Sequence, residues 1–257
     1  MVSLKKALGS VLLAGGLAVT AAAQDTSATR YDSGITAAAT QKLAQKSQFK
    51  NVSASVEDGI VTLTGTVDLY QDKLDAAKSV RKLKNSTGVR NLIVVTGPQV
   101  ADSALQQQLM RKIYYDRVGY YDNAFNYVTV AVNDGVATLS GATYNDVGRD
   151  AALAITQRMP GVKDVVDKIN VLPTSLFDDS LRRRAVRVIY GDSALGQYAI
   201  DPARPIRIIV DNGHITLYGA VDRTMDKEIA GIRANQLPGA FSVQNNLVVE
   251  NDSKTGM

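Results

Sequence analysis

Side chains that commonly perform chemistry are scarce in this chain. There is no cysteine and only one histidine, His214, which excludes thiolate chemistry and metal sites built from several imidazoles. A catalytic or metal-binding role for His214 would need partner residues that the sequence does not offer. The motifs of nucleophilic catalysis and of phosphate-cradling glycine loops are also missing from the sequence. We therefore expect no enzyme activity and no cofactor.

Arginines close to one another in the last third of the chain are better candidates for a binding site. They are Arg182, Arg183, Arg187, Arg204 and Arg207. Arg183 and Arg187 are four residues apart, so they share one face of a predicted helix. Because guanidinium groups bind phosphate in a bidentate manner, the cluster predicts contact with anionic lipid headgroups. The alternative is a solvated helix face balanced by the acidic pair Asp178-Asp179, which would also favour a helix start.

Tyrosines in the middle and last thirds of the chain form a second group of candidates. They are Tyr114, Tyr115, Tyr120, Tyr121, Tyr190 and Tyr198. Tyrosine combines an apolar ring with a polar hydroxyl and therefore suits the boundary between a membrane and water. The alternative is that some of these rings pack beneath long loops.

A phrase repeated three times defines the elements that must position these residues. Its copies are VEDGIVTLTG at 56–65, VNDGVATLSG at 132–141 and VDNGHITLYG at 210–219. Each copy contains two glycines six residues apart: Gly59 and Gly65, Gly135 and Gly141, Gly213 and Gly219. A period this long is typical of small homologous domains rather than of a solenoid.

The phrase itself predicts a β-hairpin. Apolar and polar residues alternate on both sides of Asp-Gly or Asn-Gly, the dipeptides that favour tight turns. The first glycine of each copy is interpreted as the turn residue and the second as a bend or point of close packing. Apolar residues spaced three and four apart predict a helix before each hairpin and another after it. Final strands are predicted at 92–95 in the first repeat and 247–249 in the third, and the first repeat is predicted to be shortened after Gly88.

Each repeat is therefore expected to be an α-β-β-α-β module of the α+β type. The alternation gives each three-stranded mixed sheet one apolar face, and two helices cover that face to form a two-layer sandwich. An alanine eleven residues after the second glycine (Ala76, Ala152 and Ala230) is expected to let the second helix approach the sheet closely.

The N-terminus is typical of a secretory leader. Lys5 and Lys6 precede an apolar run and a small-residue cleavage pattern, which predicts a signal peptide over 1–23 and a periplasmic location. The predicted organisation continues with a flexible segment at 24–30, domains at 31–98, 102–174 and 176–250, and a flexible tail at 251–257. Removing the leader lowers the net charge from +4 to +2, a balance that does not favour nucleic acid as a partner.

Together these motifs resemble the BON domain, a family of osmotically inducible periplasmic proteins. The resemblance rests on the paired glycines, on Pro160-Gly161-Val162 and on the segment 246–249 (Asn-Leu-Val-Val). It implies a small αββαβ module that binds phospholipid or envelope components, without catalytic residues, in the setting of envelope or osmotic stress. The predicted function is thus an exported, envelope-associated protein that binds a phospholipid surface. A periplasmic protein–protein adaptor or chaperone-like module is the alternative.

Overall fold

Each repeat folds around its hairpin in the computed structural model, which describes residues 31–116, 123–200 and 205–250. The first domain consists of α1 (Asp32–Ala44), β1 (Val52–Glu57), β2 (Ile60–Val67), α2 (Tyr70–Val80), β3 (Gly88–Asn91) and β4 (Val94–Val95). The predicted signal peptide, the segment 24–30 and the tail 251–257 lie outside the described residues.

The second and third domains repeat this order. The second consists of α3 (Asp102–Tyr114), β5 (Tyr127–Asn133), β6 (Val136–Thr143), α4 (Asp146–Gln157) and β7 (Asp164–Val171). The third consists of α5 (Leu176–Tyr190), β8 (Arg207–Asp211), β9 (His214–Tyr218), β10 (Ala220–Val221), α6 (Thr224–Asn235), β11 (Ser242–Asn245) and β12 (Val248–Val249). The predicted α-β-β-α-β modules are confirmed.

In every domain the second hairpin strand is the centre of the sheet. β1 pairs with β2 in antiparallel fashion, and β3 then pairs with β2 in parallel. The other two sheets follow the same plan, with the orders β5-β6-β7 and β8-β9-β11. The first and third strands of each domain are consequently both sheet edges.

Positive backbone angles explain why the two glycines recur. In the first turn Asp58 has φ 52° and Gly59 has φ 76°, as expected when both turn residues adopt the left-handed conformation. Gly65 has φ 113°, and a Cβ at this position would collide with the carbonyl oxygen of Asn51 on the neighbouring chain segment. The same angles recur in the other two copies, so the phrase encodes backbone geometry.

Three separate apolar clusters fill the space between sheets and helices. The alternating strand residues supply one side, such as Val61 and Leu63 in the first domain, and the first helix supplies Ile35 and Leu43 on the other. A side chain of this size contributes about 1.5–3 kcal/mol when it is fully buried. The repeated alanines Ala76, Ala152 and Ala230 are completely buried on the second helices.

The predicted shortening of the first repeat is wrong. The third strand begins 29 residues after the turn glycine in all three domains: at Gly88, Asp164 and Ser242. The residue equivalent to Gly161 and Gly239 is Asn85, which has φ 66°. Asparagine is one of the few residues besides glycine that tolerate this conformation. The final strands of the first and third domains also begin earlier than predicted, at β3 and β11, and continue after a short break as β4 and β12.

Candidate functional site

An aspartate at the start of each first helix holds the hairpin turn. In the third domain the Asp178 carboxylate accepts hydrogen bonds from the backbone N–H groups of Asn212 (3.0 Å) and Gly213 (2.8 Å). Asp32 and Asp102 make the same two bonds to their own turns. We call this arrangement the aspartate clamp. Because hydrogen bonds to a charged acceptor are strong, the clamp fixes the helix start against the hairpin.

In the third domain the clamp gathers apolar side chains at the hairpin end. Leu176 and Phe177 immediately precede Asp178, and Phe241 lies next to the turn at the start of β11. The rings of Phe177 and Phe241 are stacked with centroids 5.8 Å apart, and His214 meets Phe241 edge-on at 6.0 Å. Leu176, Phe177 and Phe241 are 87%, 45% and 71% exposed. We call these three residues the apolar tip.

The turn glycine lies directly beneath the two rings. A Cβ at Gly213 would lie 2.7 Å from Cδ2 of Phe241 and 3.2 Å from Cε1 of Phe177. The rings therefore rest on the backbone of the turn, and their outer faces remain open to solvent. His214, also exposed, bonds through Nδ1 to Ser242 Oγ at 2.7 Å.

Arg184 lies beside the apolar tip, and two further arginines are exposed on the same helix. Arg184 and Phe177 approach the same side of Gly239, where a Cβ would lie 3.3 Å from Arg184 Nη2 and 3.4 Å from Phe177 Cζ. Arg183 and Arg187 are exposed on α5, as predicted for one helix face. Of the acidic neighbours, Asp178 is engaged in the clamp and Asp179 pairs with Arg182. The hairpin end thus combines exposed apolar surface with positive charge.

Neither of the other domains has an equivalent tip. The residues at the positions of Phe177 are Tyr31 and Ala101, and those at the positions of Phe241 are Thr87 and Lys163. In the second domain Val100 and Lys163 cover the turn region. The sequence signal for the apolar tip was available, since aligning the copies on the turn glycine isolates Phe241. The predicted shortening after Gly88 removes this correspondence in the first repeat.

Arg182, predicted to bind lipid, is instead buried and joins two domains. Its side chain is 2% exposed and pairs with Asp179 at 2.6 Å, while Nη2 donates a hydrogen bond to the Val210 carbonyl at 2.5 Å. The guanidinium also lies 4.9 Å from the ring centroid of Tyr144 in the second domain. These contacts leave no guanidinium surface for a headgroup.

Arg207, Tyr114 and Tyr190 meet in the same junction. Arg207 is 2% exposed, and its guanidinium lies 5.0 Å from the ring centroid of Tyr114. The Tyr190 hydroxyl donates to the Ile206 carbonyl at 2.6 Å, and the Tyr114 hydroxyl donates to the Val128 carbonyl at 3.2 Å. Burial raises the pKa of both tyrosines above its usual value, although the charge of Arg207 opposes this rise. Tyr114 and Tyr190 are therefore neutral phenols, and Arg207 is a cation, where the two domains meet.

Tyr198 is buried against the start of α6. Its hydroxyl donates to Asp226 at 2.6 Å and accepts from the backbone N–H of Asp222 at 2.8 Å. Burial, with the hydrogen bond to Asp226, raises the pKa of Tyr198 to about 12. In the second domain Asn126 takes over part of this role by accepting from the Tyr144 N–H at 2.8 Å.

Two further aromatic contacts complete the junction and were missed by sequence reasoning. Tyr127 and Tyr218 stack with centroids 4.0 Å apart and planes 6° apart. Phe125, in the short helical turn Asn123–Phe125, packs against the core of the third domain. A cavity of about 330 Å³ remains between the two domains, lined by Tyr114, Tyr127 and Arg207. Most of these side chains belong to helices and strands, but no periodic pattern marks the ones that face another domain.

The remaining predicted residues are either exposed or outside the described residues. Tyr115 directly follows α3 and is 51% exposed, whereas the hydroxyl of its neighbour Tyr114 is hydrogen-bonded. Tyr120, Tyr121 and Arg204 lie outside the described residues. The structure therefore brings Arg182, Arg207, Tyr114 and Tyr190 together at the domain junction, and it leaves Arg183 and Arg187 on the surface.

A known protein family matches the chain at three places, one for each clamped hairpin. The BON domain matches residues 31–97, 101–173 and 192–251. The chain belongs to the BON domain family. Such domains occur in periplasmic and envelope-associated proteins and have no catalytic role. The third match begins after α5, although Leu181, Ala185 and Ile189 of that helix form part of the third core.

Similar individual proteins add little about function. An uncharacterised protein encoded in the gshII 5′ region of Anaplasma centrale is 26% identical over 151 residues, which cover 56% of this chain and 97% of that protein. CdsD, a structural protein of the type III secretion system of Chlamydia trachomatis, is 14% identical with a TM-score of 0.24, over 84% of this chain and 93% of the other. The periplasmic domain of PrgH from S. typhimurium is 9% identical with a TM-score of 0.21, over 82% and 100%. At such TM-scores the likeness carries no information about what this chain binds.

Two properties of the described residues bear on the class of site. None of the helices there is long and apolar enough to cross a membrane. Within the same ranges, no three histidine, aspartate or glutamate side chains are grouped so as to hold a metal ion.

Proposed function

We propose that the chain is an exported envelope protein whose third domain docks on an anionic phospholipid surface. The observation that carries the proposal is the apolar tip beside the cationic side of α5. Leu176, Phe177 and Phe241 expose large apolar side chains at one end of the domain. Exposed apolar groups rimmed by polar residues are typical of membrane or protein contact sites.

Apolar burial and charge attraction each contribute a modest free energy to such a contact. Burying an apolar side chain of this size contributes up to about 1.5–3 kcal/mol. Each arginine near an anionic surface adds about 1 kcal/mol, and this term is screened by salt. The apolar tip would enter the headgroup region while Arg183, Arg184 and Arg187 contact phosphates. Arginine suits this role because its planar group pairs with phosphate through two parallel hydrogen bonds.

Vesicle flotation tests the proposal directly. The folded chain from residue 24 onward should float with anionic vesicles at low salt and much less with zwitterionic vesicles. Replacing Phe177 and Phe241 together by serine should abolish most of this binding. The matched control replaces Met225 and Ile232, which are 62% and 55% exposed on α6, and should bind as the parent does.

The arginines are tested by the salt dependence of the same assay. Arg183→Gln combined with Arg187→Gln should weaken anionic binding by about fivefold for each residue and flatten its salt dependence. If the folded parent protein fails to float with anionic vesicles at low salt, the lipid proposal is abandoned.

A protein–protein adaptor is the second candidate, and the open sheet edges favour it. Within the described parts of the chain, the third strands β3, β7 and β11 each pair with a strand on one side only. Such an edge accepts an extended partner strand through backbone hydrogen bonds. Crosslinking in envelope extract should then recover a defined protein partner, and recovery of lipid alone would count against this candidate.

A further inference from the structure

The first strand of the first domain is an open edge with a palindromic sequence. β1 lies outermost in its sheet, with the order β1-β2-β3. Among the described residues, only α1 and β2 make more than marginal contact with it. Its first five residues read Val52-Ser-Ala-Ser-Val56, which is symmetric about Ala54. We propose that β1 pairs with β1 of a second copy of this chain, in antiparallel fashion about Ala54.

The two-residue turn fixes which backbone groups face the open edge. Glu57 and Ile60 flank the turn and form a hydrogen-bonded pair. Counting back from Glu57, every second residue therefore directs its N–H and C=O towards β2. The residues in between direct theirs to the open edge: Val52, Ala54 and Val56. These three residues in two copies supply six backbone hydrogen bonds in an antiparallel pair.

The register centred on Ala54 pairs all five residues of the palindrome with side chains of the same kind. Opposite residues of paired strands lie on the same face of the sheet. With Ala54 opposite Ala54 of the second copy, Val52 meets Val56 and Ser53 meets Ser55. Apolar side chains thus meet apolar ones on the helix side, and small hydroxyls meet on the outer side.

The space beside β1 suits a second copy. A groove of about 550 Å³ runs between α1 and β1, and Thr40 and Ala44 line its helix side. Both are small, so the second copy's helix can come close. No proline or inward charge protects the strand, although native edge strands are usually protected in this way. The only charge within β1 is Glu57 at its end.

The third domain provides a precedent for covering this edge. Its equivalent strand, β8, has four of five residues buried, whereas β1 alternates between half-buried and exposed residues. The residues that cover β8 come from the preceding domain, including the turn that carries Phe125. The first domain has no preceding domain among the described residues, so a second copy takes that place.

Cysteine crosslinking gives a test that depends on the register. The chain has no native cysteine, and Ser53 and Ser55 are exposed. In the proposed pair Ser53 lies opposite Ser55 of the second copy, in a non-hydrogen-bonded position where the side chains are closest. Mixing Ser53→Cys with Ser55→Cys protein should therefore give a disulfide-linked heterodimer under mild oxidation. Either variant alone should give far less.

Sedimentation of the chain from residue 24 onward tests the assembly itself. The parent should form a concentration-dependent dimer, and Ala54→Pro should weaken it at least roughly tenfold by removing two of the six hydrogen bonds. Because the Ala54 N–H does not bond to β2, circular dichroism and the unfolding midpoint should change little. Lys82→Glu on the exposed surface is the control and should leave the dimer unchanged.

Three results would overturn the proposal. The first is a monomer at every accessible concentration. The second is a dimer that persists in Ala54→Pro. The third is a monomer that becomes a dimer only when residues 24–30 are removed, because the edge would then be covered by the chain's own N-terminal segment.

Discussion

Strands β1 and β8 hold the same place in their sheets but have different surroundings. The side chains of β8 are almost all buried, because the second domain lies against them. Those of β1 remain half-buried or exposed. The difference comes from neighbouring loops rather than from the strand's own fold, since both strands pair with the second hairpin strand in the same way. The module therefore keeps the same strand pairing, while the contacts of its first strand differ between domains.

A second contrast concerns two aspartates at equivalent positions in the second helices. Asp226 in the third domain is buried; burial opposes its ionisation, but hydrogen bonds from Arg223 and Tyr198 outweigh this and lower its pKa. In the first domain burial, then repulsion from Asp75 and Asp68, raises the pKa of Asp72. A hydrogen bond with the Leu69 backbone and the charge of Lys46 offset only part of this rise. An ionised aspartate at this position thus stabilises the third domain and destabilises the first.

The largest expected effect breaks the buried junction of the third domain. Arg182→Ala removes the cation that Asp179 and the Val210 carbonyl share, and it should lower the free energy of unfolding by about 3–5 kcal/mol. Urea denaturation measures this loss. Arg183→Ala on the same helix is the control and should change stability by less than about 0.5 kcal/mol. Similar losses for both variants would contradict the assigned contacts.

The aspartate clamp offers a graded comparison between domains. Asp178→Ala should cost about 2–3 kcal/mol, because it leaves the turn N–H groups of Asn212 and Gly213 without their partner in a buried place. Asp32→Ala should cost about 1 kcal/mol, since water can reach the corresponding groups at the partly exposed first turn. Hydrogen exchange of each hairpin reports the two losses separately. An equal loss in both domains would show that burial does not set the cost.

The equivalent aspartates should respond to pH in opposite directions. A lowered pKa means that Asp226 stabilises the third domain above the pKa of the unfolded chain, about 3.9, and that this stability is lost as the pH falls through the folded value. The raised pKa of Asp72 gives a contribution that is present below about pH 3.9 and is lost as the pH rises through the folded value.

Asparagine substitutions check these signs. At pH 7, Asp226→Asn should destabilise the third domain by about 1–3 kcal/mol, whereas Asp72→Asn should slightly stabilise the first. Urea midpoints between pH 3 and pH 7 should lose part of their acid dependence only in Asp226→Asn. A destabilised Asp72→Asn would refute the assigned repulsion.

The smallest expected effect concerns the left-handed residue that differs between the domains. Asn85→Ala should cost about 1 kcal/mol, because alanine tolerates a positive φ poorly. Asn85→Gly should lie close to the parent, since Gly161 and Gly239 fill the same position elsewhere. Thermal unfolding of both variants gives the comparison. If alanine is tolerated as well as glycine, backbone geometry does not explain the choice of residue at this position.

Most of the fold could be predicted from the sequence, but little of the candidate site could. Two glycines, an alternating strand pattern and a buried alanine are local signals at fixed spacings, so the three modules followed from them. Arg182 and Arg207 could not be placed, because their partners Tyr144 and Tyr114 belong to another domain. The clamp was invisible because its aspartate lies at a different distance from the turn in each copy. The predicted shortening of the first repeat after Gly88 also obscured which residues correspond to Phe241.

That unequal distance has a consequence for how the family can diversify. The clamp joins residues 27 apart in the first domain, 33 apart in the second and 35 apart in the third, while everything after the turn keeps its length. Closing a longer loop is inexpensive, at roughly 0.6 kcal/mol for each doubling of its length. The connection between first helix and hairpin is thus a place where residues can be inserted, because the clamp already holds the helix start against the turn. An inserted peptide would be displayed there without disturbing the register of the sheet.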